Sequence, residues 1–246
     1  MFYIILFGLG AVIGSFLNVV ILRLGTGRSI SRGQSICFNC GHTLSPFELI
    51  PIVSFVLQRG RCLNCRVRIS AQYPSIELLS AVGFVLLAHQ TKNILLLVIV
   101  LIIYSLSLAI VAYDIKHKII PDRLVYPLIG FAFVWFLINS GYSNGWIEIL
   151  AGPLAASFFA LLWLLSGGRW MGFGDAKLAF AIGLFLGARG VLEAVILAFW
   201  IGAIVGIVLL LVRHHSITMK SEIPFAPFLA GAMFLEYLIP SYLHII

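Results

Sequence analysis

Residues 93–113 read NILLLVIVLIIYSLSLAIVAY, an uncharged run that stops at Asp114-Ile115-Lys116-His117-Lys118. A hydrocarbon core of roughly 30 Å takes about 20 helical residues to cross. The run therefore reads as a transmembrane helix, and it sets the class of the chain. Working outward, similar apolar stretches cover 1–22, 74–89, 121–139, 146–166, 176–188, 190–212 and 224–245, about eight spans in all. The 176–188 stretch is short, so it is expected either to be partly re-entrant or to continue through Arg189 as a tilted helix. Composition agrees: 61% of the 246 residues are hydrophobic and 10% charged, against roughly 45–50% and about 25% in soluble domains. A soluble globular enzyme, a disordered chain and a disulfide-stapled secreted domain are excluded. The first run has no basic residues before it, so it reads as a retained helix rather than a signal peptide.

The formal net charge of +7 records orientation. With the first loop inside, fourteen of the sixteen Lys and Arg fall on the inner side, and only Lys92 and Arg189 fall outside. The positive-inside rule then places both termini outside and the loop after the first span in the cytoplasm. Asp114, Asp122 and Asp175, the three aspartates of the chain, share that cytoplasmic face. Glycine pairs four residues apart, Gly10/Gly14, Gly183/Gly187 and Gly202/Gly206, read as close helix packing. Gly167-Gly168 and Gly172-Phe173-Gly174 match neither a phosphate loop nor a dinucleotide fingerprint.

The expected division is a first transmembrane helix at 1–24, an insert at 25–73 and a membrane core at 74–246. All four cysteines lie in the insert as Cys37-Phe-Asn-Cys40 and Cys62-Leu-Asn-Cys65. Two residues between cysteines let both sulfurs of a knuckle face one ion, and two knuckles close a tetrahedron. Cys37, Cys40, Cys62 and Cys65 are thus the expected ligands of a structural zinc in a ribbon-like insert; a reducing compartment disfavours the alternative of disulfides. Ser45-Pro46-Phe47-Glu48 reads as a capping box with Pro at the first helical position, which casts Glu48 as a cap before a catalyst. Six arginines between Arg28 and Arg68 stand against the single Glu48. They suit anionic lipid headgroups, and with no stacking aromatics among them nucleic acid is not an expected partner.

Carboxylates at a membrane boundary are functional candidates by default. Asp122 follows Pro121 in the first turn of a span, where the helix dipole welcomes a negative charge. Asp114 ends a span, where the dipole disfavours it, and Asp175 opens one behind two glycines. Although sixty-one residues apart, Asp114 and Asp175 come to one face in this topology and are expected to meet as a pair that activates water on a peptide carbonyl. Gly172 and Gly174 are expected to leave the backbone bare for an extended substrate.

These residues resemble the type IV prepilin leader peptidases, polytopic bacterial aspartic proteases that also N-methylate their product. The resemblance runs nearly end to end. It rests on Gly14-Ser-Phe-Leu-Asn-Val-Val-Ile21, the two knuckles, Glu48-Leu-Ile-Pro51, Arg59-Gly-Arg-Cys62, Ile69-Ser70 with Tyr73-Pro74, Ile76-Glu77-Leu78-Leu79, the segment from Asp114 to Asp122, Gly172-Phe-Gly-Asp-Ala-Lys-Leu178 and Pro224-Phe-Ala-Pro227. The Gly-x-Gly-Asp element is also similar to that of presenilin-type intramembrane proteases. Phe38 stands where many members have Pro, and Lys116 where some carry an acidic residue.

The resemblance implies that Asp114 and Asp175 are the catalytic pair and that the four cysteines bind zinc. The implied substrates are prepilins or pseudopilins, with a short basic leader ending in glycine ahead of an apolar helix. Cleavage after that glycine takes place at the cytoplasmic face of the bacterial plasma membrane, and the freed amine is methylated from S-adenosylmethionine. No methyltransferase fingerprint appears in the sequence. Glu48, Glu77 and Glu222 are carried as substrate or methyl-transfer candidates, with capping or solvation as the plain alternatives. Two competing functions are a zinc-stapled membrane scaffold or transporter and a peptidase that does not methylate.

Overall fold

The computed structural model describes residues 1–27, 29, 33–139, 145–212 and 224–239. Its elements are helical: α1 (Phe2–Arg23), α2 (Val53–Leu57), α3 (Gln72–Gln90), α4 (Ile94–His117), α5 (Asp122–Asn139), α6 (Gly145–Ser166), α7 (Phe173–Val212) and α8 (Ala226–Leu238), with a 3-10 turn at Pro46–Leu49. Five of them, α1, α4, α5, α7 and the Glu148–Ser166 part of α6, are long and apolar enough to cross a membrane. The protein is an all-helical, multi-pass membrane protein, as its apolar runs require. Straight, the 40 residues of α7 would extend about 60 Å, twice the hydrocarbon core. Non-helical backbone at Gly187 (φ 76, ψ −176) divides it. The two expected spans at 176–188 and 190–212 thus run on through Arg189, with a one-residue break and no loop.

The chain forms two compact units, Met1–Leu97 and Val98–Ile246. In the first, α1 packs on α3. The cause is Gly10 and Gly14: a Cβ on Gly10 would fall 2.7 Å from the Ala81 Cα, and one on Gly14 would fall 2.6 Å from the Glu77 Cα. Bare glycine lets the backbones touch. Asn18 Nδ2 then donates to the carbonyls of Gly14 and Tyr73, at 3.3 and 3.2 Å, which ties the C-terminal half of α1 to the start of α3. The insert after α1 is built from two small knuckles, each closed by one antiparallel bridge, Ile36 with Thr43 and Arg61 with Arg68.

In the second unit α7 is the central element, packed by α5, α6 and α8. Gly183 meets the α6 backbone at Ala151 and Gly152, and Trp135 Nε1 of α5 donates to the Phe185 carbonyl at 2.9 Å. Tyr104 of α4 meets Phe234 of α8 edge to face, with centroids 4.8 Å apart. The expectation for the glycine pairs holds at Gly10, Gly14 and Gly183. Gly187 is a correction: the nearest atoms to a Cβ there belong to the Glu148 side chain rather than to a helix backbone, and the glycine supplies the positive φ at the break in α7. The Glu148 carboxylate of α6 caps that break, accepting from the Ala188 N–H at 2.7 Å.

Candidate active site and metal centre

In the second unit, α4 runs past Asp114 to His117 and ends because Lys118 takes a left-handed conformation (φ 55) while donating its N–H to the Asp114 carbonyl at 2.7 Å. The chain then turns through Ile119 and Ile120. At the start of α7, the Asp175 N–H donates to the Gly172 carbonyl at 3.1 Å, and the Asp175 carboxylate accepts from the Gly172 N–H. This reciprocal cap fixes the side chain at the mouth of the helix. Gly174 brings the two helix ends together, since a Cβ there would lie 2.7 Å from the Ile120 Cβ.

Asp114 and Asp175 consequently line one cavity of about 370 Å³ with Lys118–Ile120, the 168–174 loop, Pro224 and Phe225. Both are buried, 5% and 7% exposed, and their carboxyls interact electrostatically. The Asp114 carboxylate also accepts the backbone N–H of Ala226, in the first turn of α8. Two carboxyls from different helices, each held by one backbone N–H and sharing one small cavity, can divide the proton transfers of a hydrolysis between them. Gly172 and Gly174 both line the cavity, and Ile120 lies against the position that a Cβ on Gly174 would take. The Ala226 amide was not anticipated. Its signal is Pro227, which sits in the first turn of a helix and leaves neighbouring amides without helical partners.

Asp122 lies apart from this pair. Its carboxylate binds Lys177 Nζ at 2.5 Å, and that ammonium also lies over the Tyr126 and Phe173 rings, 5.2 and 5.6 Å from their centroids. The clasp joins the first turns of α5 and α7.

In the first unit, the Sγ atoms of Cys37, Cys40, Cys62 and Cys65 all lie within 4.8 Å of one another, and those of Cys37 and Cys65 are 3.8 Å apart. A disulfide is about 2.05 Å long, whereas a tetrahedral ion with bonds of about 2.3 Å spaces its sulfurs by roughly 3.8 Å. The four thiols are free, and the set could hold a metal ion. The knuckles follow one pattern. Cys37 N–H bonds the His42 carbonyl and Gly41 N–H the Cys37 carbonyl; Cys62 N–H bonds the Val67 carbonyl and Arg66 N–H the Cys62 carbonyl. Gly41 and Arg66 take the same left-handed position, φ 71 and 58. Each knuckle's asparagine amide reaches across to the other's sulfur, Asn39 to Cys65 at 3.5 Å and Asn64 to Cys40 at 3.6 Å. The Val67 N–H and then the Asn39 amide lower the Cys65 thiol to about 6. The N–H groups of Cys40 and Asn39 lower Cys37. Donors aimed at sulfur favour the thiolate, the form that binds metal.

Beside this cluster lies a cavity of about 900 Å³ whose wall includes Ser15, Asn18, Glu48, Tyr73 and Glu77. The capping box forms: Glu48 N–H donates to the Ser45 carbonyl at 3.0 Å and Ser45 N–H to Glu48 Oε2 at 2.9 Å. His42 Nε2 stands 3.2 Å from the same oxygen, so His42 partners Glu48 instead of joining the metal set. The Ser45 N–H chiefly, with His42 assisting, holds the Glu48 carboxyl below its ordinary range. Glu77 is not solvated, as its plain alternative had it. It is 8% exposed and accepts the Ile52 N–H at 2.7 Å. Glu222 lies outside the described residues.

Two family models match the chain: the bacterial peptidase A24 N-terminal domain over residues 8–91 and the type IV leader peptidase family over residues 101–207. Among similar proteins, the prepilin leader peptidase/N-methyltransferase of Aeromonas hydrophila is 32% identical over 94% of this chain and 89% of its own length. That of Bacillus subtilis (strain 168) is 33% identical over 95% and 93%, and that of Myxococcus xanthus (strain DK1622) is 35% identical over 88% and 65%. No solved structure matches the chain. The two matched segments fall one in each compact unit, the first across the knuckles and the Glu48 cavity and the second across both aspartates, and with end-to-end similarity above 30% they establish that this chain belongs to the type IV leader peptidase family.

Proposed function

We propose that the protein cleaves the leader from type IV prepilins or pseudopilins after a glycine at the cytoplasmic membrane face, and methylates the new amino terminus from S-adenosylmethionine. The observation that carries the peptidase half is the pair of buried carboxyls, Asp114 and Asp175, lining one cavity. In this reading one carboxyl takes a proton from water as the oxygen attacks the scissile carbonyl. The other gives a proton to the departing amine. The N–H groups of Ala226 and Gly172 hold the two carboxyls in place. The cytoplasmic assignment follows the basic residues, since both aspartates sit at helix ends on the side that the positive-inside rule makes cytoplasmic.

The metal proposed for Cys37, Cys40, Cys62 and Cys65 is zinc in a structural role. Four thiolates leave no open position for chemistry, and they staple an insert in which α2 and the 3-10 turn bury no residue. For methyl transfer, the cavity of about 900 Å³ is at the upper end of the roughly 300–1,000 Å³ common for small-molecule sites. Its wall carries Glu48 and Asn18, and Glu48 Oε1 and Asn18 Oδ1 are buried without a partner. Such a wall suits a ligand that brings N–H donors and positive charge, as both a sulfonium amino acid and an N-terminal ammonium do. S-adenosylmethionine would supply an electrophilic methyl group there, with Glu48 as the acidic residue that meets the ligand and Glu77, bound to the Ile52 N–H, as part of the supporting wall.

The test is incubation of the purified protein with a synthetic prepilin, with and without S-adenosylmethionine, read by mass at the new amino terminus. Wild type is expected to release the leader and to add one methyl group. Asp114→Asn and Asp175→Asn are each expected to lower cleavage by about a hundredfold or more. Unchanged cleavage in either variant would return the aspartates to a purely structural role.

A further inference from the structure

Resting on the methyl-transfer reading, we propose that Glu48 takes the proton from the substrate's N-terminal ammonium and that Glu77 is a positioning residue that holds the cavity wall. The two glutamates line the same cavity, but their oxygens are committed differently. Glu77 Oε2 accepts the Ile52 N–H at 2.7 Å, and its carboxylate also bonds the Ser15 side chain. Ile52 is itself unusual. Its φ of 62 and ψ of −52, with the Val53 N–H 2.6 Å from the Pro51 carbonyl, make a γ-turn of the rare positive-φ kind, strained for a β-branched residue. The turn joins Leu49 to Ser54, both on the cavity wall. Strain of this sort persists only where surrounding structure over-determines it. Here the anchor is a buried carboxylate in the second turn of α3.

Glu48 has the opposite division. Its Oε2 is taken by the Ser45 N–H and His42, while Oε1 is buried with no partner. An unmet buried acceptor is costly, and Asn18 Oδ1 on the same wall is a second one. A primary ammonium brings three N–H donors and one positive charge, enough for both acceptors. Transfer needs that ammonium neutral. Glu48 Oε1 accepts one N–H proton; the freed nitrogen lone pair forms the N–C bond to the sulfonium methyl as the C–S bond breaks, its electron pair remaining on sulfur. The products are the secondary ammonium, the neutral thioether and a proton on Glu48 that returns to solvent.

The two roles separate under conservative substitution. Glu48→Gln keeps an acceptor for Ser45 but removes the base, whereas Glu77→Gln keeps a carbonyl acceptor for the Ile52 N–H. With a synthetic peptide that starts at the new amino terminus, Glu48→Gln is expected to lower methylation kcat about a hundredfold or more with S-adenosylhomocysteine affinity within about threefold, and Glu77→Gln to stay within about fivefold of wild type. Glu77→Ala, which offers Ile52 no acceptor, is expected to weaken S-adenosylhomocysteine binding in calorimetry. Photo-crosslinking of S-adenosylmethionine to wild type should label residues of the 33–77 segment. Methylation by Glu48→Gln within tenfold of wild type, equal losses in both glutamine variants, or a label in Val98–Ile246 would each overturn the assignment. A wild type that cleaves without methylating would overturn the underlying methyl-transfer reading as well, so the two failures are distinguishable.

Discussion

Adding one methyl group at Gly183 is expected to force α6 and α7 apart. A Cβ there falls 2.6 Å from the Ala151 oxygen, the Gly152 Cα and the Gly152 nitrogen, all backbone of α6. Carbon contacts settle at about 3.5–4.0 Å, so relief requires roughly 1 Å of helix separation rather than a side-chain rotation. Overpacking of this kind costs about 1–3 kcal/mol. Against it stands the intrinsic gain of alanine over glycine inside a helix, roughly 1 kcal/mol. Gly130 in α5 and Gly231 in α8 have nothing within 4 Å of the corresponding Cβ position. Gly130→Ala and Gly231→Ala therefore keep the gain without the clash. Gly183→Ala should fall below them by about 1–3 kcal/mol, which is about 2–12 °C in Tm at this chain length. Intrinsic tryptophan fluorescence during thermal unfolding of the detergent-purified protein measures the gap. A Gly183→Ala protein melting level with Gly130→Ala would refute the close approach of the two helices. Asp175 opens the same helix about two turns earlier, so slower leader cleavage should accompany the loss of stability.

Gly187→Ala should be more severe. Its φ of 76 and ψ of −176 belong to a region essentially reserved for glycine, at about 1–3 kcal/mol for other residues, and its Cβ would run into the Glu148 carboxylate. The expected outcome is a poor yield of monodisperse protein by size exclusion, and a wild-type profile would contradict the break in α7. Arg66→Gly should stabilise the second knuckle by about 1 kcal/mol, because Arg66 sits at φ 58 where L-residues pay roughly 1–2 kcal/mol; the chelator concentration that releases the metal should rise. Asp122 is 57% and Lys177 22% exposed at the side chain, so a double-mutant cycle on the pair should give a coupling of at most about 1 kcal/mol. Asp122→Asn should also cleave prepilin within about tenfold of wild type, unlike changes at the buried pair, which general acid–base roles make worth about a hundredfold or more.

The parts legible in the sequence share one property: they are local. Twenty-odd apolar residues must form a helix in lipid, because only a helix satisfies its own backbone there. A Cys-x-x-Cys step closes a knuckle through bonds within a few residues, as Cys37 with His42 and Cys62 with Val67 show. The Ser45–Glu48 cap is likewise contained in four residues. For the same reason the gathering of Cys37, Cys40, Cys62 and Cys65 into one cluster was legible from spacing alone.

Tertiary structure decided the rest. Along α4 and α3 hydrophobicity has almost no directional bias, so their inward faces are not written in the pattern of residues; helices that are apolar on every side lose the signal that periodicity carries elsewhere. Small residues become the contact code instead, and their meaning depends on what they meet. Gly174 admits Ile120, Gly14 admits the α3 backbone, and Gly187, an equally plausible packing site on paper, breaks a helix. Nor could spacing distinguish Glu48, with one oxygen unpaired, from Glu77, bound to the Ile52 amide. The sequence by itself determined a multi-pass helical chain with a four-thiol insert and placed Asp114 near the end of one helix and Asp175 near the start of another. Only the fold set them in a single cavity, because that depends on how closely helix backbones approach, which is fixed where one residue touches another far away in the chain.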